Sequence, residues 1–318
     1  MVQRNSGNFD VAIKLGEVKN HKSWYDRATV RRSPRRRIER LEPLQGMPFS
    51  RQLVPLIKHP VVTRYDESMA FRILARALGD HLRFIEDLEN QVILPISQRI
   101  QTGEIFQWTT KKMRLDAGRI AVDEAYHSLF SCDMRYDLES ILDIDVPPRP
   151  ASSLMRLQTL EADTPPEKRW MIRTFFTIVS EIVVSGVLRE VPNDKSVAQP
   201  VRELIADHLR DEVWHQWYYS SIFAQAWDEL SVTEKDFIGP KLAAFTQWFF
   251  EPNYAAIEGW LIAENFKESQ VTQIINDLKE VGEHKVQRTK GTVQLMKVLC
   301  EGGALAHEKT AYAFESLN

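Results

Sequence analysis

The stretch 208-HLRDEVWH-215 sets His208, Glu212 and His215 at intervals of four and three residues. Each residue of an α-helix turns by about 100°, so these three side chains leave the helix within an arc of about 60°. Two neutral nitrogen donors and a charge-balancing carboxylate on one face suit a metal ion. The stretch 123-DEAYH-127 repeats the theme, with Glu124 and His127 three residues apart on one face of another helix. In helical bundles that hold two iron or manganese ions, two helices each supply a Glu-x-x-His pair and the other two each add a Glu. Each of two further helices should therefore bury a glutamate.

Both glutamates are present. Glu181 lies inside 178-IVSEIVVSGV-187, where an ionised carboxylate is costly without a cation or hydrogen-bond donors. In 84-FIEDLENQVILPI-96 the candidates are Glu86, Asp87 and Glu89. Glu89 continues the apolar stripe of Leu82, Ile85 and Val92, whereas Glu86 and Asp87 fall to the side. The order is then Glu89, Glu124-x-x-His127, Glu181, Glu212-x-x-His215, with His208 added on the last helix. Mixed carboxylate and imidazole donors without thiolate suit two iron ions, with manganese as a substitute, better than tetrahedral zinc. Asp123 and Asp211 precede ligand glutamates, and are either acceptors that orient an imidazole N–H or plain surface acids. His21, His59, His81, His284 and His307 have no comparable geometry and read as structural or exposed.

These side chains require long helices, and the chain supplies them. Phe71, Leu74, Leu78, Leu82, Ile85 and Val92 recur at helical spacing and predict a helix over about 67–101, disturbed at Pro95. Further helices are expected over about 108–131, 166–190 and 198–228. The Pro-rich loop 147-PPRP-150 should separate the second from the third, and Pro200 fits the first turn of the fourth. Beyond them, 231-SVTE-234 is a capping box opening a helix toward Phe250, and shorter helices are expected over 268–281 and 284–300. With no β-α alternation and no Gly-rich phosphate loop, the fold class is all-α: a ferritin-like four-helix bundle with additional helices and an N-terminal arm. Residues 66–318 are expected to form a single helical domain, with 1–65 as an arm packing on it. The run 31-RRSPRRRIER-40 carries six arginines. It reads as a solvated stretch of that arm, with a grip on a partner subunit or an acidic protein as the alternative.

Bulk composition narrows the classes further. Among 318 residues, 41 basic and 44 acidic side chains give a formal charge of -3, which argues against nucleic acid or an anionic membrane as the main partner. Two separated cysteines, Cys132 and Cys300, exclude a disulfide framework or thiolate zinc site. The N-terminal stretch lacks the apolar core of a signal peptide, and no window approaches a membrane span, so a cytoplasmic location is expected.

Over roughly residues 55 to 235 the chain resembles the AurF-like non-haem di-iron N-oxygenases, the p-aminobenzoate N-oxygenase family. The resemblance rests on 56-LIKHPVV-62, 89-ENQVILP-95, 122-VDEAYH-127, 180-SE-181 and above all 208-HLRDEVWH-215. That family adds one histidine four residues before its last ligand glutamate, the position of His208. The resemblance implies seven iron ligands, Glu89, Glu124, His127, Glu181, His208, Glu212 and His215. It further implies two iron ions, O2 as co-substrate, a small-molecule amine substrate, an external reductase or ferredoxin as electron donor, and a homodimer. Where an aryl carboxylate is bound, it implies an arginine five residues before the first ligand glutamate; here that position is Phe84, with Arg83 beside it. Phe84, Tyr126, Val184, Ser185 and Trp214 flank the ligands in sequence and are the candidate walls of a substrate pocket. The expected reaction is oxidation of a primary amine to a hydroxylamine, nitroso or nitro product, with a C-hydroxylase or desaturase on the same scaffold as the alternative. An iron-storage protein and a metal-free bundle are the readings from other classes.

Overall fold

The computed structural model describes residues 24–42, 45–147, 150–183, 188–281 and 283–317. Among these no β-strand occurs, and Met47 and Val197 form an isolated bridge. The helices that position the site are α1 (Glu67–Leu88), α2 (Leu94–Thr102), α3 (Lys111–Leu142), α4 (Ser152–Ala162), α5 (Pro166–Val183) and α6 (Gln199–Glu229). They are followed by α7 (Val232–Phe250), α8 (Tyr254–Ala263), α9 (Glu268–Val281), α10 (Glu283–Glu301) and α11 (Glu308–Glu315).

Local chemistry sets the helix ends. The Asp66 carboxylate accepts the Met69 N–H at 3.3 Å, the Thr110 hydroxyl accepts the Met113 N–H at 3.2 Å, and Ser231 and Glu234 close the expected capping box. Pro200 occupies the first turn of α6, where its missing N–H costs nothing. Helix α3 stops at Asp143, whose left-handed backbone (φ 49°) ends the helix with its N–H on the Glu139 carbonyl.

Helices α8 and α11 lie outside the expected elements, and two others differ from expectation for local reasons. Helix α3 runs eleven residues past 131, to Leu142, because Met134 and Leu138 keep the apolar stripe buried while Asp133, Arg135 and Asp137 find partners outside the helix and Glu139 pairs with Arg135 within it. Helix α4, where only loop was expected after 147-PPRP-150, forms by burying Leu154 and Leu157. Pro148 and Arg149 of that loop lie outside the described residues, as do 184–187 beyond Val183.

Helices α1 and α2 pack along α3, α5 packs against α6 and α7, and α6 meets α3, which closes four long helices into a bundle. The apolar stripe of α1 is buried from Phe71 to Ile85, and Phe175, Phe176, Ile178, Tyr219, Ile222 and Phe223 fill the opposite side. Among the described residues no helix is long and apolar enough to cross a membrane.

The arginine run is largely exposed, as expected of a solvated stretch, yet three of its arginines also pair with acids of α3 and α6. Arg36 donates to Glu203 at 2.6 Å and to Asp207 at 2.8 Å on α6. Arg37 meets Asp137 at 2.6 Å and Arg35 meets Asp133 on α3. Ile38, 1% exposed, anchors the run between them. The mutual repulsion of the arginines is offset by acids spaced along α3 and α6, a match visible only once both helices face the segment.

Candidate metal centre

The seven expected ligands converge in the bundle interior, none more than 2% exposed. Glu124 and His127 come from α3, Glu181 from α5, and His208, Glu212 and His215 from α6. Glu89 comes from a π-helical turn, Glu89–Ile93, between α1 and α2. Pro95 accounts for this turn. Without an N–H, and with a ring that crowds the carbonyl four residues back, it cannot follow an ideal helix. The backbone widens, the Leu94 N–H reaches the Glu89 carbonyl five residues back, and the Gln91 carbonyl takes an Arg173 N–H at 3.3 Å instead. Such turns frequently sit at functional sites.

Three overlapping groups of donor atoms each lie within 4.8 Å: Glu89, His127, His208 and Glu212; Glu124, His127, Glu212 and His215; and Glu89, Glu124 and Glu181. His215 Nδ1 is 2.7 Å from Glu124 and 3.1 Å from Glu212, while His127 Nδ1 is 3.1 Å from Glu124 and 3.4 Å from Glu212. His208 Nε2 is 3.3 Å from Glu212 and 3.7 Å from Glu89. Glu124 and Glu212 thus stand between the imidazoles, and Glu89 and Glu181 complete the carboxylate set.

The outer nitrogens show a crossed arrangement. His127 Nε2 meets Asp211 of α6 at 3.2 Å, and His215 Nε2 meets Asp123 of α3 at 3.3 Å. Each Asp-Glu pair therefore sends its glutamate to the centre and its aspartate to the opposite helix's histidine. With Nε2–H donating outward, Nδ1 faces the carboxylates. The aspartates are held in turn by the N-terminal segment: the Trp24 indole N–H donates to Asp123 at 2.8 Å, and the Thr29 N–H donates to Asp211 at 3.2 Å. Neither Trp24 nor Thr29 carried a signal in sequence, because neither lies near a ligand along the chain.

The donor set fits cations. Glu89 Oε2, Glu124 Oε1, Glu181 Oε2 and His208 Nε2 are buried without a hydrogen bond, a costly state for polar atoms unless a ligand takes them. Glu124 Oε1 lies close to His215 Nδ1, as given above, but off the line a hydrogen bond requires. Protonation follows the same logic. Burial, and then the neighbouring Glu124, pushes the Glu89 carboxyl well above its usual range; burial and Glu212 do the same to Glu181. Burial is the largest influence on Glu124 and Glu212 and opposes their charge, yet the histidines together outweigh it, His215 and His127 holding Glu124 well below the usual range and His215 and His208 holding Glu212 at about 2. His127 is raised to about 10 against burial by Asp211 and Glu124, and His215 is raised well above its usual value by Glu124 and Glu212. Protons shared among carboxylates and imidazoles here fill the place of positive charge. Four carboxylates would balance two divalent cations.

The remaining sequence candidates are dispersed. Phe84 lines a cavity of about 750 Å³ together with His81 of α1, Asp145, Trp248 and Phe249 of α7, and Trp260 of α8. Tyr126 and Trp214 are not among its walls: Tyr126 packs edge-on against Phe130, and Trp214 borders a narrow cleft with Trp24, Asp123 and Asp211. Val184 and Ser185 lie outside the described residues. Glu86, off the ligand stripe, is buried in a pair with Arg135 at 2.6 Å. His59 and His307 pair with Asp277 and Asp236, and the side chains of His21 and His284 are outside the described set. The aromatic walls from α7 and α8 escaped the sequence reading because they follow the last ligand by more than thirty residues and share no spacing with it.

A family model described as AurF, p-aminobenzoate N-oxygenase, matches residues 28–298 of the chain, a longer span than the motifs alone mark.

Proposed function

The chain belongs to the AurF family of p-aminobenzoate N-oxygenases and is a monooxygenase of a di-iron family; from that premise we propose that it oxidises a primary arylamine at nitrogen, in an O2-dependent reaction, at the seven-ligand centre. The observation that carries the assignment of the site is the convergence of Glu89, Glu124, His127, Glu181, His208, Glu212 and His215 in a volume where four of their polar atoms have no hydrogen bond. Two irons bound there would supply the redox chemistry that activates O2, with manganese as a possible substitute ion by its donor preference.

Each protein group has a separate task. Glu89, Glu124, Glu181 and Glu212 offset the charge of the ions in a dry interior, and His127, His208 and His215 add neutral donors. Asp211 and Asp123 hold the His127 and His215 rings so that Nδ1 faces inward, and Trp24 and Thr29 hold the aspartates. His208 has no such partner on its Nε2, which supports its role as the added nitrogen donor.

The first oxidation takes a primary amine, O2, two electrons and two protons to a hydroxylamine and water. An external reductase or ferredoxin is therefore part of the proposal, and further rounds would give nitroso or nitro products. The proposal places the enzyme in the cytoplasm as a homodimer, with 66–318 as one helical domain and the preceding residues as an arm.

The test is to reduce the iron-loaded protein, admit 18O2 with a panel of arylamines, and look for a labelled nitrogen–oxygen bond by mass spectrometry. Labelled hydroxylamine, nitroso or nitro products support the proposal. Products labelled only at carbon, or dehydrogenated without label, overturn it in favour of a C-hydroxylase or desaturase; a hollow multimeric shell on sizing overturns it in favour of iron storage.

A further inference from the structure

One face of α3 is apolar where a solvated helix would be charged. Between Lys111 and Ser140 the exposed side chains of this helix are Leu115, Val122, Ala125, Leu129 and Tyr136, with no acid and no base among them. The four large ones, Leu115, Val122, Leu129 and Tyr136, are 52, 45, 62 and 58% exposed. They recur every seven residues. Seven residues fall about 20° short of two helical turns, so all four leave the helix within an arc of about 60°. A strict seven-residue apolar repeat is the seam along which helices pair with a slight left-handed wrap. Apolar residues scattered over a surface need no explanation, but a continuous strip does. This one is about 32 Å long and about 10 Å wide, or about 300 Å².

Its borders are polar. The Gln101 side chain lies over Gly118, the Asn90 amide donates to Ser128 at 2.5 Å, and Arg35 meets Asp133. An apolar centre inside a polar rim is the anatomy of a protein–protein interface.

The spacing selects the partner. Leu115 and Tyr136, and likewise Val122 and Leu129, stand at equal distances on either side of Ala125 and Tyr126, so the strip keeps its outline when the helix is reversed. Laid antiparallel on a second copy, Leu115 meets Tyr136, Val122 meets Leu129, and the small Ala125 lies where the two backbones cross. A patch that fits itself about a two-fold axis is what a closed dimer requires. Direction follows from charge. Antiparallel helix dipoles attract, and the basic first turn of α3, with Lys111 and Lys112, comes beside the end that carries Glu139 and Asp143. A parallel pair would set Lys111 against Lys111. These charges steer the register, and the apolar strip supplies the contact.

We propose that α3 docks antiparallel on α3 of a second copy of this chain, with Leu115, Val122, Ala125, Leu129 and Tyr136 at the centre of the interface. The flanking α2 and N-terminal segment meet at the rim and bring the contact toward the about 800 Å² per partner of a standard interface. Glu124 and His127 occupy the buried side of the same helix, so the two metal centres stand on either side of the helix pair. The proposal gives a face to the homodimer expected above and is independent of the reaction at the centre.

Sedimentation velocity on the full chain would compare the parent with Val122→Lys, Leu129→Glu and the double variant. The parent should be a dimer. Each single substitution sets two charges per dimer against apolar side chains and should weaken association at least about a hundredfold, with helix content by circular dichroism unchanged. The double variant should regain dimer, because each introduced lysine then faces an introduced glutamate of the other copy; in a parallel pair like charges would meet. A monomeric parent overturns the proposal and the homodimer with it. A dimer that withstands both single substitutions overturns this face and leaves the homodimer standing. A double variant that associates no better than the single ones overturns the antiparallel register. Should one single variant fail to fold, the other decides the face.

Discussion

Replacing Glu181 with leucine should stabilise the metal-free protein and abolish most of its stabilisation by metal. Glu181 lies between Ile178, Ile182 and Val183, is 2% exposed, and has no hydrogen bond on Oε2. Burial and Glu212 push its carboxyl well above the usual range, so in the absence of metal it contributes an incompletely paired buried polar group. Leaving such a group unsatisfied costs about 1–3 kcal/mol, which leucine would remove. With about 2.1 cal/mol/K of unfolding entropy per residue, 318 residues give about 0.7 kcal/mol/K, so the metal-free variant should melt about 1.5–4 °C above the parent. The parent should gain far more from metal. Two sites at free metal about a thousand times Kd contribute about 4 kcal/mol each, or about 12 °C together. Differential scanning calorimetry of chelator-treated protein, with and without ferrous iron under argon, measures both quantities, and bound iron is counted on the same samples. A metal-free variant that melts several degrees below the parent would make Glu181 a structural residue. A variant with the full metal-dependent rise would show that the carboxylate is not a ligand. Either result refutes the reasoning.

Asp211→Asn and Asp123→Asn should each weaken metal binding about 10–100-fold while leaving helix content unchanged, because each releases one imidazole; competition with a chelator dye measures it, and unchanged affinity would remove the crossed aspartates from the design. Metal uptake should release protons and tighten as pH rises. Glu89 and Glu181 are shifted toward their protonated forms and His127 lies at about 10, so a cation entering the site must displace protons. Calorimetry in buffers of different ionisation enthalpy reads that release directly, and pH-independent affinity with no proton release would contradict it. His208→Phe should keep the bundle folded but remove one nitrogen donor, lowering metal affinity at least about tenfold; an unchanged Mössbauer spectrum of the iron-loaded variant would show that His208 is not a donor.

The N-terminal segment shows where sequence reading stops. Six arginines in ten residues imply repulsion and hydration when only neighbours in sequence are considered. Asp137, Glu203 and Asp207 become their partners because α3 and α6 lie side by side, an arrangement fixed by apolar packing elsewhere. The same holds for Trp24 and Thr29, which hold aspartates about 100 and 180 residues away. The widened turn at Glu89 was half legible: Pro95 announced a disturbance, but its form required the Arg173 side chain that takes the freed carbonyl.

By itself, the sequence determined which side chains share a helix face, because an α-helix maps intervals of three and four residues onto one direction. Glu124 with His127, His208 with Glu212 and His215, and Glu89 on the stripe of Leu82 and Ile85 all follow from that local rule. The tertiary structure decided which helix each outer aspartate serves, which residues cover it, and that α7 and α8 bring aromatic walls to the cavity that Phe84 lines. Those relations depend on how separate helices are placed against one another, and the helical repeat carries no record of that placement.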